Sequence, residues 1–105
     1  MEATIVLYTT RGIEPRVATK MYETLFGKVQ KSNYGRYEYE VRGTLPEDAY
    51  LRPVRAVMIV KRECHQQVIG LFDAYGVKHR SFDVEVQPGI FKKEDFFPER
   101  QNQHT

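Results

Sequence analysis

The segment from Thr9 to Gly12 has the composition and position in the sequence that best suit the binding of an anion. It follows a stretch of strand-forming residues and precedes Pro15, a residue type that favours the first turn of a helix. Backbone N–H groups and the helix dipole at such a position favour negative charge. Arg11 would add positive charge, and Gly12 would let a phosphate group approach closely. Thr9, Thr10, Arg11 and Gly12 therefore predict an anion-binding turn, and the alternative is an ordinary turn of the same composition.

Nucleophilic and metal-binding groups are few in the sequence. Cys64 and His65 are adjacent at a predicted helix start, where neighbouring side chains diverge, whereas a nucleophile–base pair requires them to converge. We therefore interpret Cys64 as a small buried helix residue. His65, His79 and His104 are too widely spaced for one element to supply two metal ligands. The sequence thus predicts no catalytic residue, no cofactor and no metal site within one chain, and a metal site assembled between subunits is the alternative.

Carboxylates alternate along two of the predicted strands at a spacing of two residues, which places each pair on one face of its strand. The pairs are Glu38 with Glu40 and Asp83 with Glu85. On an exposed face this spacing is typical of solvated alternation, and nothing in the sequence marks either pair for acid–base catalysis. We predict a structural role for both.

Composition restricts the chain to one small globular domain. It has 105 residues, 41% of them hydrophobic and 29% charged, with one cysteine and a formal net charge of +2. These values exclude collagen-like, coiled-coil and disordered chains, and a single cysteine excludes a disulfide framework. No apolar run approaches the roughly 20 residues that span a bilayer. No signal-peptide pattern is recognised either, so we expect a cytoplasmic protein. Residues 28 to 62 carry eight basic and four acidic side chains, which fits an anionic ligand or an ordinary solvated hairpin.

Hydrophobic periodicity predicts four strands and two helices. The predicted strands are 3–8, 29–42, 54–61 and 80–86, and the predicted helices are 15–26 and 63–75. The order β-α-β-β-α-β with right-handed crossovers is the ferredoxin-like arrangement. It is an α+β fold with two helices on one face of a four-stranded antiparallel sheet. We expect this domain over residues 1–89, followed by a C-terminal docking segment and frayed tail over residues 90–105.

The face of the predicted sheet that points away from the helices is too apolar to remain in water on a monomer. Tyr37 or its neighbours would lie on this face, together with the residues that alternate with Val6 and Tyr8 along the first strand. We therefore expect self-association. Four further apolar residues are expected to dock on the same or a neighbouring subunit: Ile90, Phe91, Phe96 and Phe97.

Between Tyr34 and Ile69 the sequence resembles the PII signalling and CutA superfamily. The step Tyr34-Gly35-Arg36 is similar to the aromatic-Gly-Arg step that precedes the protruding loop of PII proteins. The run from Tyr50 to Glu63 is similar to their third strand and the helix start after it, and residues 5–10 resemble a CutA first strand. The chain departs from PII proteins after the second helix, where residues 74–78 lack the glycine-rich segment that holds nucleotide phosphates.

The resemblance implies a compact trimer with clefts between subunits and a hairpin from Arg42 to Arg52 that reaches a partner. A dimer is the alternative for the self-association that the apolar sheet face predicts. The resemblance also implies that Arg36 and Arg42, with Arg52 or Arg55, line these clefts together with the turn from Thr9 to Gly12. Arginine suits planar, bidentate capture of phosphate or carboxylate. We therefore predict a non-catalytic regulatory or ligand-sensing module that binds a small anion, a nucleotide-like ligand or a protein partner.

Two other function classes stay open. A nucleic-acid-binding or virus–host interaction protein would use the basic hairpin, and its binding would weaken steeply with added salt. The third predicted strand carries no aromatic residue, which disfavours an ordinary RNA-recognition motif. A small ferredoxin-like dimeric enzyme would need a polar cluster between helices and sheet, for which Tyr22, Cys64 and His65 are the candidates.

Overall fold

The computed structural model of the chain describes residues 1–32 and 37–92. Its α+β architecture has a four-stranded antiparallel sheet and two α-helices, as the sequence predicts. The elements are β1 (Glu2–Thr9), α1 (Pro15–Phe26), β2 (Lys28–Ser32), β3 (Tyr37–Val41), β4 (Tyr50–Val54), β5 (Val57–Lys61), α2 (His65–Tyr75) and β6 (Lys78–Glu85). Short 3₁₀ helices lie at Glu47–Ala49, Arg62–Cys64 and Pro88–Lys92. No helix in the described ranges is long and apolar enough to cross a membrane.

The main sheet has the strand order β4-β5-β1-β6, with β1 at its centre. Ile5 lies opposite Ile59 of β5 on one side and opposite Phe82 of β6 on the other. The β-branched and aromatic residues of β1 suit this central position, because they pack well on a pleated surface. Both neighbours of β1 run antiparallel to it.

The prediction of one long second strand over residues 29–42 is wrong. This segment contains two strands, β2 and β3, which pair with each other in a separate two-stranded sheet. The sequence between them contains Asn33 and Gly35, residue types that favour turns. Tyr37 therefore lies in this second sheet and not on the main one, where we expected it.

The second strand of the main sheet is β4, which the sequence analysis did not assign to a strand. Tyr50 pairs with Val60, and Val54 pairs with Val57 across a two-residue turn, with a register shift between these pairs. The predicted third strand over residues 54–61 is accordingly shorter, because Arg55 and Ala56 form the turn and β5 begins at Val57.

One face of the main sheet packs against both helices. The helix residues in this core include Met21 and Leu25 of α1 and Val68 and Phe72 of α2, all of them fully buried. They contact a row of sheet residues that comprises Val6, Tyr8, Met58 and Val60. The helical spacing of these apolar residues explains their burial. Val17 has the same spacing from Met21 as Leu25 but is exposed.

The opposite face of the main sheet carries a second, smaller core. It contains Ala3, Leu51 and Ile59 of the sheet and Phe91 of the last 3₁₀ helix, with Ile90 packed against them. Phe96 and Phe97 lie outside the described residues, as does most of the predicted segment 90–105.

The second sheet is joined to the end of α1 where the backbones of Gly27 and Gly43 approach closely. The backbone N–H groups of Thr44 and Leu45 donate hydrogen bonds of 2.7 and 3.1 Å to the carbonyls of Thr24 and Leu25. A Cβ atom on Gly43 would collide with the backbone of Leu25 and Gly27. Only glycine fits this contact, which fixes the end of β3 against the helix.

Candidate functional site

A cleft of about 790 Å³ opens beside the end of β1, where the β1–α1 turn meets the β4–β5 turn. Three arginines from separate segments converge on it: Arg11 from the first turn, Arg52 from β4 and Arg55 from the second turn. The lining residues are Tyr8, Thr9, Thr10, Arg11, Tyr22, Arg52, Val54, Arg55 and Ala56. We call this cavity the arginine cleft.

The β1–α1 turn is ordered by its own short hydrogen bonds. The backbone N–H of Arg11 donates to the Thr9 hydroxyl over 3.1 Å, and the N–H of Ile13 donates to the Thr10 carbonyl over 2.9 Å. Gly12 has a φ of +88°, in the region that favours glycine. Gly12 therefore shapes the turn but does not line the cleft, whereas Thr9, Thr10 and Arg11 do.

The β4–β5 turn consists of Arg55 and Ala56, and Ala56 has an unfavourable backbone conformation in it. Ala56 has a φ of +66°, in the left-handed region that non-glycine residues rarely adopt. The Ala56 carbonyl accepts a hydrogen bond of 3.1 Å from the N–H of Tyr8, which ties the turn to β1. Such strain persists only where surrounding contacts fix the backbone, and it often accompanies ligand-binding turns.

Arg52 is held by aromatic side chains at one wall of the cleft. Its guanidinium carbon lies 3.9 Å from the centre of the Phe26 ring, and the guanidinium is close enough to the Tyr8 hydroxyl to lower the pKa of Tyr8. Tyr8 and Tyr22 are neighbours, with ring centres 6.4 Å apart. Stacking on Phe26 reduces the side-chain freedom that Arg52 would lose on binding a ligand.

The Tyr8 hydroxyl remains protonated over a wider pH range than that of an exposed tyrosine. Burial raises the pKa of Tyr8, and the neighbouring Tyr22 raises it further, while the Arg52 guanidinium acts in the opposite direction. A protonated hydroxyl can donate a hydrogen bond to an anion, so Tyr8 adds a neutral donor beside the guanidinium groups.

The electrostatic character of the arginine cleft is uniformly basic. Among the residues that the structure describes, none of the side chains lining the cleft is a carboxylate. In the same ranges, no carboxylate forms a salt bridge with Arg11 or Arg55. These two guanidinium groups are exposed and so keep their hydrogen-bond donors available to a ligand.

Arg42, one of the arginines expected in the site, does not line the arginine cleft. Arg42 lines a different cavity of about 590 Å³. Lys28 and the acidic residues Glu40, Glu47 and Asp48 line the same cavity. The two cavities are separate because β3 belongs to the second sheet. Arg36 lies outside the described residues.

In the described part of the chain, two histidines near β6 each pair with one polar side chain. His65 Nε2 lies 2.9 Å from the Ser81 hydroxyl, and His79 Nε2 lies 2.8 Å from an Asp73 carboxylate oxygen. Cys64 is buried, and burial raises the pKa of its thiol, which lowers its reactivity. Over residues 1–32 and 37–92, no three His, Cys, Asp or Glu side chains are arranged to hold a metal ion.

The carboxylates of β6 lie beside positive charges at the surface. Asp83 lies 3.7 Å from Arg62, and Glu85 lies 3.5 Å from the amino terminus. Arg62 also donates to Glu2 over 3.0 Å, so it bridges two strands. Exposed pairs of this kind contribute little to stability, about 0–1 kcal/mol each.

Comparison with protein-family models, with curated proteins and with solved structures finds no match to the chain. The functional assignment therefore depends on the geometry of the site.

The sequence predicted Tyr8 as a residue of the first strand, and Tyr8 was not among the predicted site residues. The signal for its second role is its position directly before Thr9, at the end of a strand whose next residues form the turn. Phe26 was also missed, because its contact with Arg52 joins a helix to a strand that the sequence did not predict.

Proposed function

We propose that this protein is a ligand-sensing module that binds a small multivalent anion, with phosphate groups as the recognised chemistry, in the arginine cleft. The observation that carries this proposal is the convergence of Arg11, Arg52 and Arg55 on one cavity without a lining carboxylate among the described residues. Three guanidinium groups match a ligand with two or more negative charges better than a monoanion, which would leave most of the positive charge uncompensated.

The donors around the cleft suit phosphate oxygens. Guanidinium groups offer paired N–H donors at a spacing that matches two oxygens of one phosphate. The hydroxyls of Thr9, Thr10 and Tyr8 add neutral donors at the same place. Hydrogen bonds to charged groups contribute about 1.5–3 kcal/mol each before solvent screening is considered. Because the arginines are exposed, we expect dissociation constants between about 1 µM and 1 mM.

The fold proposed for this module is ferredoxin-like, with β2 and β3 as an inserted hairpin. The order β4-β5-β1-β6 supports it, since β1, β4, β5 and β6 then correspond to the four strands of the β-α-β-β-α-β arrangement. The core that both helices share with one face of the sheet supports the same assignment. The relationship to PII and CutA proteins stays a prediction from the sequence.

Assembly into a trimer also stays a prediction. The binding proposal is stated for one chain, because Arg11, Arg52 and Arg55 of the same chain meet at the cleft. The expected cleft between subunits is thus replaced in this proposal by a cleft within the subunit. Native mass spectrometry of the purified protein would report the number of chains and any retained anion together.

The binding experiment compares anions of increasing charge on the full chain. We expect isothermal titration calorimetry to detect pyrophosphate and, more weakly, inorganic phosphate, and to detect no binding of chloride. Arg55→Gln and Arg11→Gln should each weaken pyrophosphate binding by about tenfold, which corresponds to about 1.4 kcal/mol. Arg16→Gln is the matched control, because Arg16 is exposed on α1 and does not line the cleft.

Two results would overturn the proposal. One is the absence of binding for every phosphate-bearing anion at low salt. The other is an equal loss of affinity in Arg16→Gln, since this would mean that overall charge and not the cleft governs binding. A gel shift with DNA or RNA that disappears steeply with salt would favour the nucleic-acid alternative instead.

A further inference from the structure

The main sheet leaves one strip of apolar side chains exposed on the face opposite the helices. Leu7 of β1 is 40% exposed, and Val54 of β4 and Phe82 of β6 are each 52% exposed. The pairing of the strands makes these positions neighbours, since Leu7 and Val54 both lie opposite Val57, and Phe82 lies opposite Ile5. We call Leu7, Val54 and Phe82, together with Val57 between them, the apolar strip.

Another part of this face is covered by the C-terminal part of the described chain. The 3₁₀ helix Pro88–Lys92 lies on it, and Phe91 is only 4% exposed among Ala3, Leu51 and Ile59. The amino group of Lys61 lies 5.8 Å from the centre of the Phe91 ring. The chain therefore reaches Lys92 on the same surface that carries the apolar strip.

The sequence after Lys92 has the length and composition to cover the strip. It continues for 13 residues, from 93 to 105, and its large apolar side chains are Phe96 and Phe97. An extended chain advances about 3.3–3.6 Å per residue, so these two residues can lie about 15 Å beyond Lys92. Leu7 is four residues along β1 from Ala3, which is about 13 Å in a strand. The distance to be spanned and the available chain are thus similar.

Charge favours the same placement. Glu94 and Asp95 immediately precede the two phenylalanines. Arg80 lies opposite Leu7 across the β1–β6 pairing. The pair Glu94–Asp95, which follows Lys93, therefore offers negative charge to Arg80 beside the apolar strip.

We propose that Phe96 and Phe97 of the same chain close over the apolar strip, so that the C-terminal segment completes the second core. The segment is thereby a built-in occupant of the surface that the sequence analysis assigned to self-association. The apolar strip adjoins the arginine cleft at Val54, which belongs to both. The proposal does not require anion binding, and it is tested without any ligand.

The chain contains no tryptophan, so a single substitution supplies a unique fluorescent reporter. We expect the tryptophan of Phe97→Trp to emit at shorter wavelength than a free peptide of residues 93–105 with the same substitution. We also expect it to be shielded from acrylamide, with both properties independent of protein concentration. Adding Phe82→Asp should move the emission to longer wavelength and raise acrylamide quenching severalfold. Adding Val17→Asp is the matched control and should change neither, because Val17 is exposed on α1.

A cross-linking measurement keeps the test independent of how well the Asp variants fold. A photoreactive benzoylphenylalanine at position 96 should yield a cross-link at the mass of a single chain, joined to the peptide that contains Leu7 or Phe82. Cross-links at the mass of two chains would assign the strip to a second copy and overturn the proposal. Emission and quenching equal to those of the free peptide, or cross-links elsewhere on the chain, would overturn it as well.

Discussion

Replacing Ala56 with glycine is predicted to stabilise the fold, although it removes a side chain. Ala56 has a φ of +66°. The left-handed conformation costs an L-residue with a Cβ atom about 1–2 kcal/mol, and glycine avoids this penalty. Glycine also increases the entropy of the unfolded chain, which removes about 0.4–1 kcal/mol of stability. The difference leaves a net gain of about 0.5–1 kcal/mol in the free energy of unfolding.

Urea denaturation followed by circular dichroism measures this change directly. We expect a higher midpoint at an unchanged slope, and in thermal unfolding an increase of about 3–6 °C for a domain of this size. The matched control is Ala74→Gly, because Ala74 is exposed near the end of α2. This substitution should destabilise the fold by up to about 1 kcal/mol, since glycine is unfavourable in a helix.

The opposite signs of the two alanine-to-glycine substitutions make the test decisive. If Ala56→Gly lost as much stability as Ala74→Gly, the turn would not be strained and the argument that surrounding contacts hold it would be wrong. We also expect Ala56→Gly to weaken pyrophosphate binding a few-fold, because a relaxed turn no longer fixes Arg55 beside the arginine cleft. Unchanged affinity would show that the turn's rigidity does not serve the site.

Two further predictions concern a close backbone contact and a buried hydroxyl. Gly43→Ala should lower the free energy of unfolding by about 2–3 kcal/mol, because a Cβ atom there meets the backbone of Leu25 and Gly27. Gly89→Ala, whose Cβ would meet nothing, should leave thermal unfolding unchanged; equal stability of both variants would contradict the close contact. Burial raises the pKa of Tyr8 above its usual 10.0, so the folded state holds this proton more tightly than the unfolded chain, and stability should fall as pH rises above 10. Denaturation curves of Tyr8→Phe should show a shallower fall over that pH range, and an identical fall would mean that Tyr8 is not the group responsible.

The helices, β1 and the α+β class could be predicted from the sequence because each has a local signal. Met21 and Leu25 recur at helical spacing, and the β-branched run of β1 is too apolar for anything but a central strand. The β4–β5 turn has no such signal. Arg55 and Ala56 are not residue types that mark a turn, and the conformation of Ala56 is imposed by the pairing of β4 with β5 and by the contact with Tyr8. The predicted third strand therefore continued through the turn.

The candidate site was predictable only in part for the same reason. Thr9, Thr10 and Arg11 follow a strand directly, so a local argument places them in a turn. Which of Arg42, Arg52 and Arg55 lies beside that turn depends on which strand pairs with β5, the strand next to β1. β3 pairs with β2 in the second sheet, and Arg42 consequently lines a cavity with three acidic residues. The partner strand is a tertiary property, and sequence spacing does not encode it.

An amide chemical-shift titration with pyrophosphate would locate the bound anion on the chain. Two-dimensional ¹H–¹⁵N spectra of the full chain would follow every backbone N–H at low salt as pyrophosphate is added. We expect the largest shifts on residues 9–11 and 52–56, the two segments that meet at the arginine cleft, and we expect these shifts to saturate. Shifts that centre on Lys28 and Arg42, or spectra that do not change, would contradict the proposed binding at the arginine cleft.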